Sequence, residues 1–224
     1  MWHYLGMTFR SGADFGGKEA RSGGGGGGIA IGGGVGSIVL VGLFLLMGGN
    51  PSDLRAILGS EQTQSDDAAQ GESPECETAE DGNTKDECLV EFTGRSVDNV
   101  WSKVLPEQAD IQYTEPERVV FHGSVNTGCG AATSSTGPFY CPRDESAYFD
   151  TAFFDSLRNF GADNAPLARM YIVAHEFGHH IQNLEGTLGL SDYNDPGADS
   201  NAVKIELQAD CYAGLWASYA DKGD

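Results

Sequence analysis

The chain has 224 residues, enough for one domain with a substantial core and flanking segments. It carries 33 acidic and 13 basic side chains, a formal net charge of −20 at pH 7. Because so acidic a surface repels nucleic-acid phosphates, we expect no nucleic-acid partner. The five cysteines form no C-x-x-C pair, which argues against a cysteine-ligated zinc site.

The first 49 residues differ in composition from the rest of the chain. Residues 1–28 are polar, end in six consecutive glycines, and are predicted to be disordered, because glycine costs backbone entropy and packs no side chain. Residues 29–47 form an uncharged apolar run, long enough for a helix to cross a bilayer. We therefore predict a transmembrane helix over 29–49. The alternative, the apolar region of a signal peptide, is normally shorter.

The charges around this run predict an orientation. Basic residues outnumber acidic ones before the run, and the acidic excess lies after it. The positive-inside bias then predicts a single-pass protein of the cell membrane, with a cytoplasmic N-terminus and an extracytoplasmic domain. Residues 50–88 are acidic and poor in large apolar side chains, so we expect a disordered linker there. The globular domain is predicted over 89–224.

An extracytoplasmic domain can form disulfides. Cys129 and Cys141 flank a glycine-containing turn and are the preferred pair. Pairing of Cys76 with Cys88 stays open, because both lie in a polar tract. Cys211 is left over and is expected to be buried on a helix.

Apolar spacing and turn residues predict a mixed set of helices and strands in the globular part. Pro166 suits the first turn of a helix, and residues 143–145 suit the turn of a hairpin. The helices are expected over 97–105, 155–160, 166–184 and 201–219, and the strands over 118–122, 139–142 and 147–154.

The third of these helices contains the pattern H-E-x-x-H in a largely apolar, otherwise uncharged run. His175 and His179 lie four residues apart, so they project from one helix face and can take two positions around one Zn²⁺. Glu176 is then placed to act as the general base toward a zinc-activated water. Gly178 is a poor helix former, which indicates that another backbone element approaches closely at this point.

The last helix offers a third ligand. A catalytic zinc takes three protein ligands and keeps one position open for water. Glu206 and Asp210 share a face of a largely apolar helix. We predict that Glu206 binds the metal and that Asp210 accepts the ring N–H of a ligand histidine. Glu185 is the competing ligand, but it needs a sharp turn where Gln182 stands in place of glycine.

Three further side chains have open interpretations. His180 lies about 100° around the helix from His179, so we expect it to miss the metal and to be packed and hydrogen-bonded. The alternative is that it lines the substrate side of the cleft. Tyr193 and Tyr212 are the candidates for stabilising the tetrahedral oxyanion.

Four segments resemble the bacterial putative neutral zinc metallopeptidases: C-G-A-A at 129–132, G-P-F-Y-C-P at 137–142, A-H-E-F-G-H-H-I-Q at 174–182 and E-L-Q-A-D-C-Y-A-G at 206–214. The resemblance covers roughly residues 90–220, and the layout of residues 1–50 is similar as well. It implies an α+β, zincin-like catalytic domain with His175, His179 and Glu206 on zinc. Members usually continue past this last helix, so we expect the domain over 89–224 to be C-terminally shortened.

Together these features predict a membrane-anchored, zinc-dependent endopeptidase that acts on peptides or proteins. An extended peptide can add as a strand to the edge of the predicted hairpin above the active-site helix. The alternative is a non-catalytic zinc-binding envelope protein with a structural or partner-binding role. A structural zinc site closes all four positions with protein ligands, and no fourth ligand is evident.

Overall fold

The computed structural model describes residues 9, 20–23, 76–159, 166–191, 197 and 199–220. The predicted transmembrane helix over 29–49 lies outside them. Of the helices that are described, none combines the length and the apolar composition needed to cross a membrane. The fold is a mixed α+β arrangement, as predicted.

The strands form two sheets. In chain order they are β1 (Arg21–Gly23), β2 (Glu117–Phe121), β3 (Ser124–Thr127), β4 (Gly130–Thr133), β5 (Phe139–Cys141) and β6 (Ser146–Asp150). The larger sheet has the order β1-β2-β6-β5, with β1 and β6 parallel to β2 and with β5 antiparallel to β6. Strands β3 and β4 form a separate antiparallel hairpin.

The helices cover one face of the larger sheet. They are α1 (Ala79–Thr84), α2 (Asp86–Ala109), α3 (Thr151–Asn159), α4 (Pro166–Glu185) and α5 (Asn201–Ala220), with short 3₁₀ turns at Ser134–Thr136 and Leu188–Leu190. Val120 and Phe149 pack into the helical core, whereas Val119 and Tyr148 point to a second cluster on the opposite face. Sheets buried on both faces read as continuous apolar runs, which is why β2 and β6 were recognisable from the sequence.

The hairpin prediction is correct for its turn and wrong at its end. Residues 142–145 form the turn between β5 and β6. Residues 151–154, expected to be strand, instead begin α3. Asp150 accounts for the switch, because its Oδ1 accepts a hydrogen bond from the backbone N–H of Ala152 and so caps the helix.

Helices α4 and α5 lie against each other at the glycine singled out above. A Cβ placed on Gly178 would lie 3.0 Å from both the Cα and the carbonyl oxygen of Ala209. The expectation that another backbone element approaches Gly178 is therefore confirmed, and that element is α5.

Residues 76–88, assigned to the acidic linker, belong to the fold. A disulfide joins Cys76 to Cys88, and α1 begins with a reciprocal cap between Thr78 and Asp81. The boundary at residue 89 was misplaced because a cap and a disulfide stabilise this polar stretch, in place of the apolar face that composition can reveal.

The segment predicted to be disordered over 1–28 also contributes to the sheet. Arg21–Gly23 pairs in parallel with β2, and Ala20 is buried beside it. Strand pairing uses backbone groups that any residue carries, so a glycine-rich composition conceals it.

Candidate metal centre

The two histidines of the H-E-x-x-H pattern and Glu206 converge where α4 meets α5. All three are buried, and each offers one ligand atom within 4.8 Å of the other two. Glu206 Oε2 lies 3.2 Å from His175 Nε2 and 3.5 Å from His179 Nε2. The structure thus brings together the three residues that the sequence nominated as ligands.

Three buried atoms at this point have no hydrogen-bond partner among the described residues: His179 Nε2, Glu206 Oε1 and Glu176 Oε1. A buried polar atom left unpaired costs about 1–3 kcal/mol. Two of these atoms belong to the cluster and the third belongs to the neighbour of His175, which indicates that they face a ligand. Two imidazole nitrogens and a carboxylate are the donor set of a catalytic zinc site, so the residues fit Zn²⁺.

Asp210 holds the ring of His175. Its Oδ1 accepts hydrogen bonds from His175 Nδ1, at 2.9 Å, and from the hydroxyl of Tyr171, at 2.7 Å. With Nδ1 carrying the proton, His175 directs Nε2 toward the cluster. This is the arrangement that the sequence analysis assigned to Asp210.

Gln182 holds the ring of His179, a role that the sequence analysis missed. Its Oε1 accepts from His179 Nδ1 at 2.9 Å, and its Nε2 donates to the carbonyl of Ile205 at 2.7 Å. Gln182 therefore orients one ligand and ties α4 to the residue that precedes the third ligand. The available signal was a polar side chain three residues after His179 in an apolar helix.

In the metal-free cluster, the imidazole and carboxylate groups shift each other's pKa values strongly. Burial alone would lower the pKa of His175, but its hydrogen bonds to Asp210 and Glu206 outweigh burial and raise that pKa to about 10. Burial would likewise raise the pKa of Glu206, yet its hydrogen bond with His175 and the nearby imidazole of His179 lower it to about 2. A metal that binds here must displace the proton held by His175.

Glu176 differs from the ligand carboxylate in its surroundings. Burial raises its pKa above the ordinary value for glutamate. A hydrogen bond from the backbone of Tyr140, on strand β5, opposes that rise. A buried carboxylate with a raised pKa beside the ligands has the properties of a general base.

His180 is packed and hydrogen-bonded, as its first interpretation held. Its Nε2 donates to the carbonyl of Thr114 at 2.6 Å, and its Nδ1 lies 2.9 Å from the hydroxyl of Tyr140. That hydroxyl also accepts from Asn183. His180 thus anchors the strand whose backbone contacts Glu176.

Two of the competing candidates lie elsewhere. Glu185 is outside the metal cluster, and its Oε2 accepts from the hydroxyl of Tyr212 at 2.7 Å. Tyr212, one of the two oxyanion candidates, is therefore directed at Glu185. The other candidate, Tyr193, lies outside the described residues.

The cysteines fix the strand beside the site. A disulfide joins Cys129 to Cys141, as the sequence analysis preferred, and ties the β3–β4 turn to β5. Cys211 carries a free thiol, and the expectation that it is buried is wrong, because this position of α5 faces outward.

Two uncharacterized bacterial proteins are similar to this chain. The uncharacterized protein Rv2575 of Mycobacterium tuberculosis is 52% identical over 147 residues, which cover 65% of this chain and 48% of that protein. The uncharacterized protein YpfJ of Escherichia coli is 34% identical over 189 residues, which cover 82% of this chain and 63% of that protein. The chain thus spans about half the length of its mycobacterial relative.

No solved structure matches the chain. The family model of the putative neutral zinc metallopeptidases matches residues 10–224, nearly the whole sequence. The chain therefore belongs to the putative neutral zinc metallopeptidase family.

Proposed function

We propose that this chain is a zinc-dependent endopeptidase in which His175, His179 and Glu206 hold the metal and Glu176 is the general base. One observation carries the proposal. Where α4 meets α5, ligand atoms of His175, His179 and Glu206 lie within 4.8 Å of one another. Buried atoms of His179, of Glu206 and of Glu176, the neighbour of His175, have no hydrogen-bond partner among the described residues.

The chain's own residues supply positioning and proton transfer. A bound Zn²⁺ would contribute a Lewis acid that polarises a carbonyl and acidifies water. Asp210 and Gln182 keep the two imidazoles aimed at the metal position. Glu176 takes a proton from the attacking water and returns it to the leaving amine, a role that its raised pKa suits.

The substrate is an extended segment of a peptide or protein. Strand β5 is the last strand of the larger sheet on this side, and it pairs only with β6 among the described strands. Its Tyr140 contacts Glu176 through the backbone. A peptide that adds to β5 as a further strand therefore runs beside the general base.

The domain is proposed to lie outside the cytoplasm. Two disulfides, Cys76–Cys88 and Cys129–Cys141, support this location. Disulfides form and persist in oxidising compartments and are rare in the cytosol.

The alternative in which the zinc is purely structural requires a fourth protein ligand. The described part of the chain offers three ligands at the metal position. His180 and Glu185, the two residues that could have completed the set, bond instead to Thr114 and Tyr212. The site therefore favours the catalytic function over a structural one.

The test uses the whole chain and the variant Glu176→Gln. Elemental analysis is expected to find roughly one zinc per chain in both proteins, since a catalytic site binds one metal through its ligands and not through its base. Cleavage of a peptide library should be lost in Glu176→Gln and retained in the matched control Glu185→Gln. Wild-type protein without zinc, or undiminished cleavage by Glu176→Gln, would contradict the proposal.

A further inference from the structure

An N-terminal arm, here the described residues Phe9 and Ala20–Gly23, contacts the domain in two places. The first contact is at α1. The backbone N–H of Phe9 donates to Asn83 Oδ1 at 3.1 Å, and Asn83 Nδ2 donates back to the carbonyl of Phe9 at 3.5 Å. The ring of Phe9 packs edge-on against Phe92, with 5.4 Å between the centroids.

Gly82 makes room for this ring. A Cβ at position 82 would lie 2.6 Å from the ring of Phe9 and 2.5 Å from the ring of Phe92. Both distances are shorter than carbon atoms tolerate without a shift of the neighbouring groups. A helix position without a side chain therefore receives the aromatic ring of the arm.

The second contact is the parallel pairing of β1 with β2. Arg21, Ser22 and Gly23 are in register with Val119, Val120 and Phe121. Arg21 Nε lies 3.1 Å from Glu117 Oε2, so an ion pair reinforces the backbone bonds.

A buried carboxylate extends this second contact. The backbone N–H of Ala20 donates to Glu91 Oε2 at 2.6 Å. Glu91 also pairs with Arg95 Nε, at 2.5 Å, and lies 3.5 Å from Arg118 Nε. A desolvated carboxylate needs every donor within reach, and the arm supplies one of them.

We propose that the N-terminal arm is a permanent strand of the domain of its own chain, and that arm and domain lie in the same compartment. A single crossing of a membrane between residues 29 and 47 would place Arg21–Gly23 and Glu117–Phe121 on opposite sides. The predicted cytoplasmic N-terminus and the β1–β2 pairing therefore exclude each other. The pairing puts the arm on the side of the domain's two disulfides.

The pairing is tested on the full chain by zero-length cross-linking. The substitution Arg21→Lys places an amine next to Glu117, and a carbodiimide then joins residues 21 and 117 within one chain. The ion pair of Lys85 with Asp81, at 2.8 Å, is the internal reference for the reaction. The matched control combines Arg21→Lys with Glu117→Gln and should lose the link.

Peptide mapping by mass spectrometry is expected to recover the link between residues 21 and 117 in chains of monomer mass. Recovery of the link between residues 81 and 85 without the link between residues 21 and 117 would overturn the proposal. A link between residues 21 and 117 confined to dimers would overturn the assignment to the same chain.

The compartment is tested with thiols in intact and disrupted cells. Ser22 is exposed, and Cys211 is an exposed natural thiol of the domain. Wild type reports on Cys211, and the variant Ser22→Cys with Cys211→Ser reports on the arm. A membrane-impermeant maleimide should label both proteins under the same condition. Labelling of one in intact cells and of the other only after disruption would overturn the proposal, whatever the outcome of the peptidase test.

Discussion

Two pairs of carboxylates are neutralised in different ways. Glu206 and Asp210 lie where α5 meets α4, and Glu91 and Asp98 are buried residues of α2. Beneath α2, Arg118 lies 2.5 Å from Asp98 and 3.5 Å from Glu91. Although burial raises the pKa of Asp98 to about 6, Arg118 and Tyr113 oppose the rise. That cluster contains its own cation.

The cluster where α4 meets α5 has no permanently charged basic side chain among the described residues. Among the described residues, the ion pairs of Glu206 and Asp210 are with His175 and His179. Imidazoles lose their charge when they bind a metal, so the carboxylates then rely on the metal itself. The first cluster therefore carries its own permanent positive charge, whereas the second depends on a protonated histidine or on a bound metal.

The largest effect is expected from Arg118→Met. Removing one partner of a buried ion pair leaves the other charge uncompensated and costs about 3–5 kcal/mol in the free energy of unfolding. Denaturant titration should find the same loss with and without chelator, because zinc is not part of that cluster. The exposed Arg143→Met is the control, expected to change stability by less than about 0.5 kcal/mol. Equal stability of the two variants would mean that Arg118 is not the required cation.

The next largest effect on stability is expected from Gly178→Ala, where α4 packs against α5. The added Cβ would meet the backbone of Ala209 at 3.0 Å, and overpacking of this kind costs about 1–3 kcal/mol. It should also weaken zinc binding, because α5 carries Glu206. Gly214→Ala is the matched control on α5, where a Cβ would meet nothing within 4 Å. Both variants are compared with wild type by denaturation and zinc titration. If Gly178→Ala is tolerated as well as Gly214→Ala, α4 and α5 are packed less closely than described.

Gln182→Ala is expected to weaken zinc binding by about 10–100-fold, the usual effect of losing a residue that orients a ligand. Its target is His179, whose Nδ1 donates to Gln182. The measurement is competition with a chelating indicator, and Gln108→Ala, at an exposed position of α2, is the control. Unchanged zinc affinity would show that α5 and Asp210 alone suffice to orient the site.

Measured over a single pH unit, the smallest effect is the pH dependence of the metal-free chain. The folded-state pKa of His175, about 10, lies above its ordinary value of 6.5. The stability contributed by its protonated form is therefore complete below pH 6.5 and is lost as the pH rises toward 10. One proton changes the free energy of unfolding by at most about 1.4 kcal/mol per pH unit. Denaturation with chelator should show this loss, and His175→Gln should remove it. An identical pH profile in the variant would place the responsible group elsewhere.

The residues of the candidate metal centre were predictable from the sequence because they lie close together along two helices. His175, Glu176 and His179 lie within five residues of one helix, and the period of that helix places both imidazoles on one face. Glu206 and Asp210 were found through the same period on α5. Gly178 also indicated that a second helix lies close, because glycine is disfavoured inside a helix.

Other features could not be predicted because they depend on distant backbone. Strand β1 is held by hydrogen bonds to β2, almost a hundred residues away, and its sequence has no strand pattern. Helix α1 is held by a cap and by the Cys76–Cys88 disulfide. Gln182 was missed for a related reason, since its partners on α5 become visible only when the two helices are in place.

In the proposed site, α5 supplies the third ligand to the two histidines of α4. Calorimetric titration of zinc into the metal-free chain tests it most directly, with Glu206→Gln and Glu185→Gln compared with wild type. We expect roughly one zinc site in wild type and in Glu185→Gln, and zinc affinity at least about tenfold weaker in Glu206→Gln, since a catalytic site depends on all three protein ligands. Full zinc affinity in Glu206→Gln would show that Glu206 is not the third ligand, and a loss in Glu185→Gln would assign that ligand to Glu185.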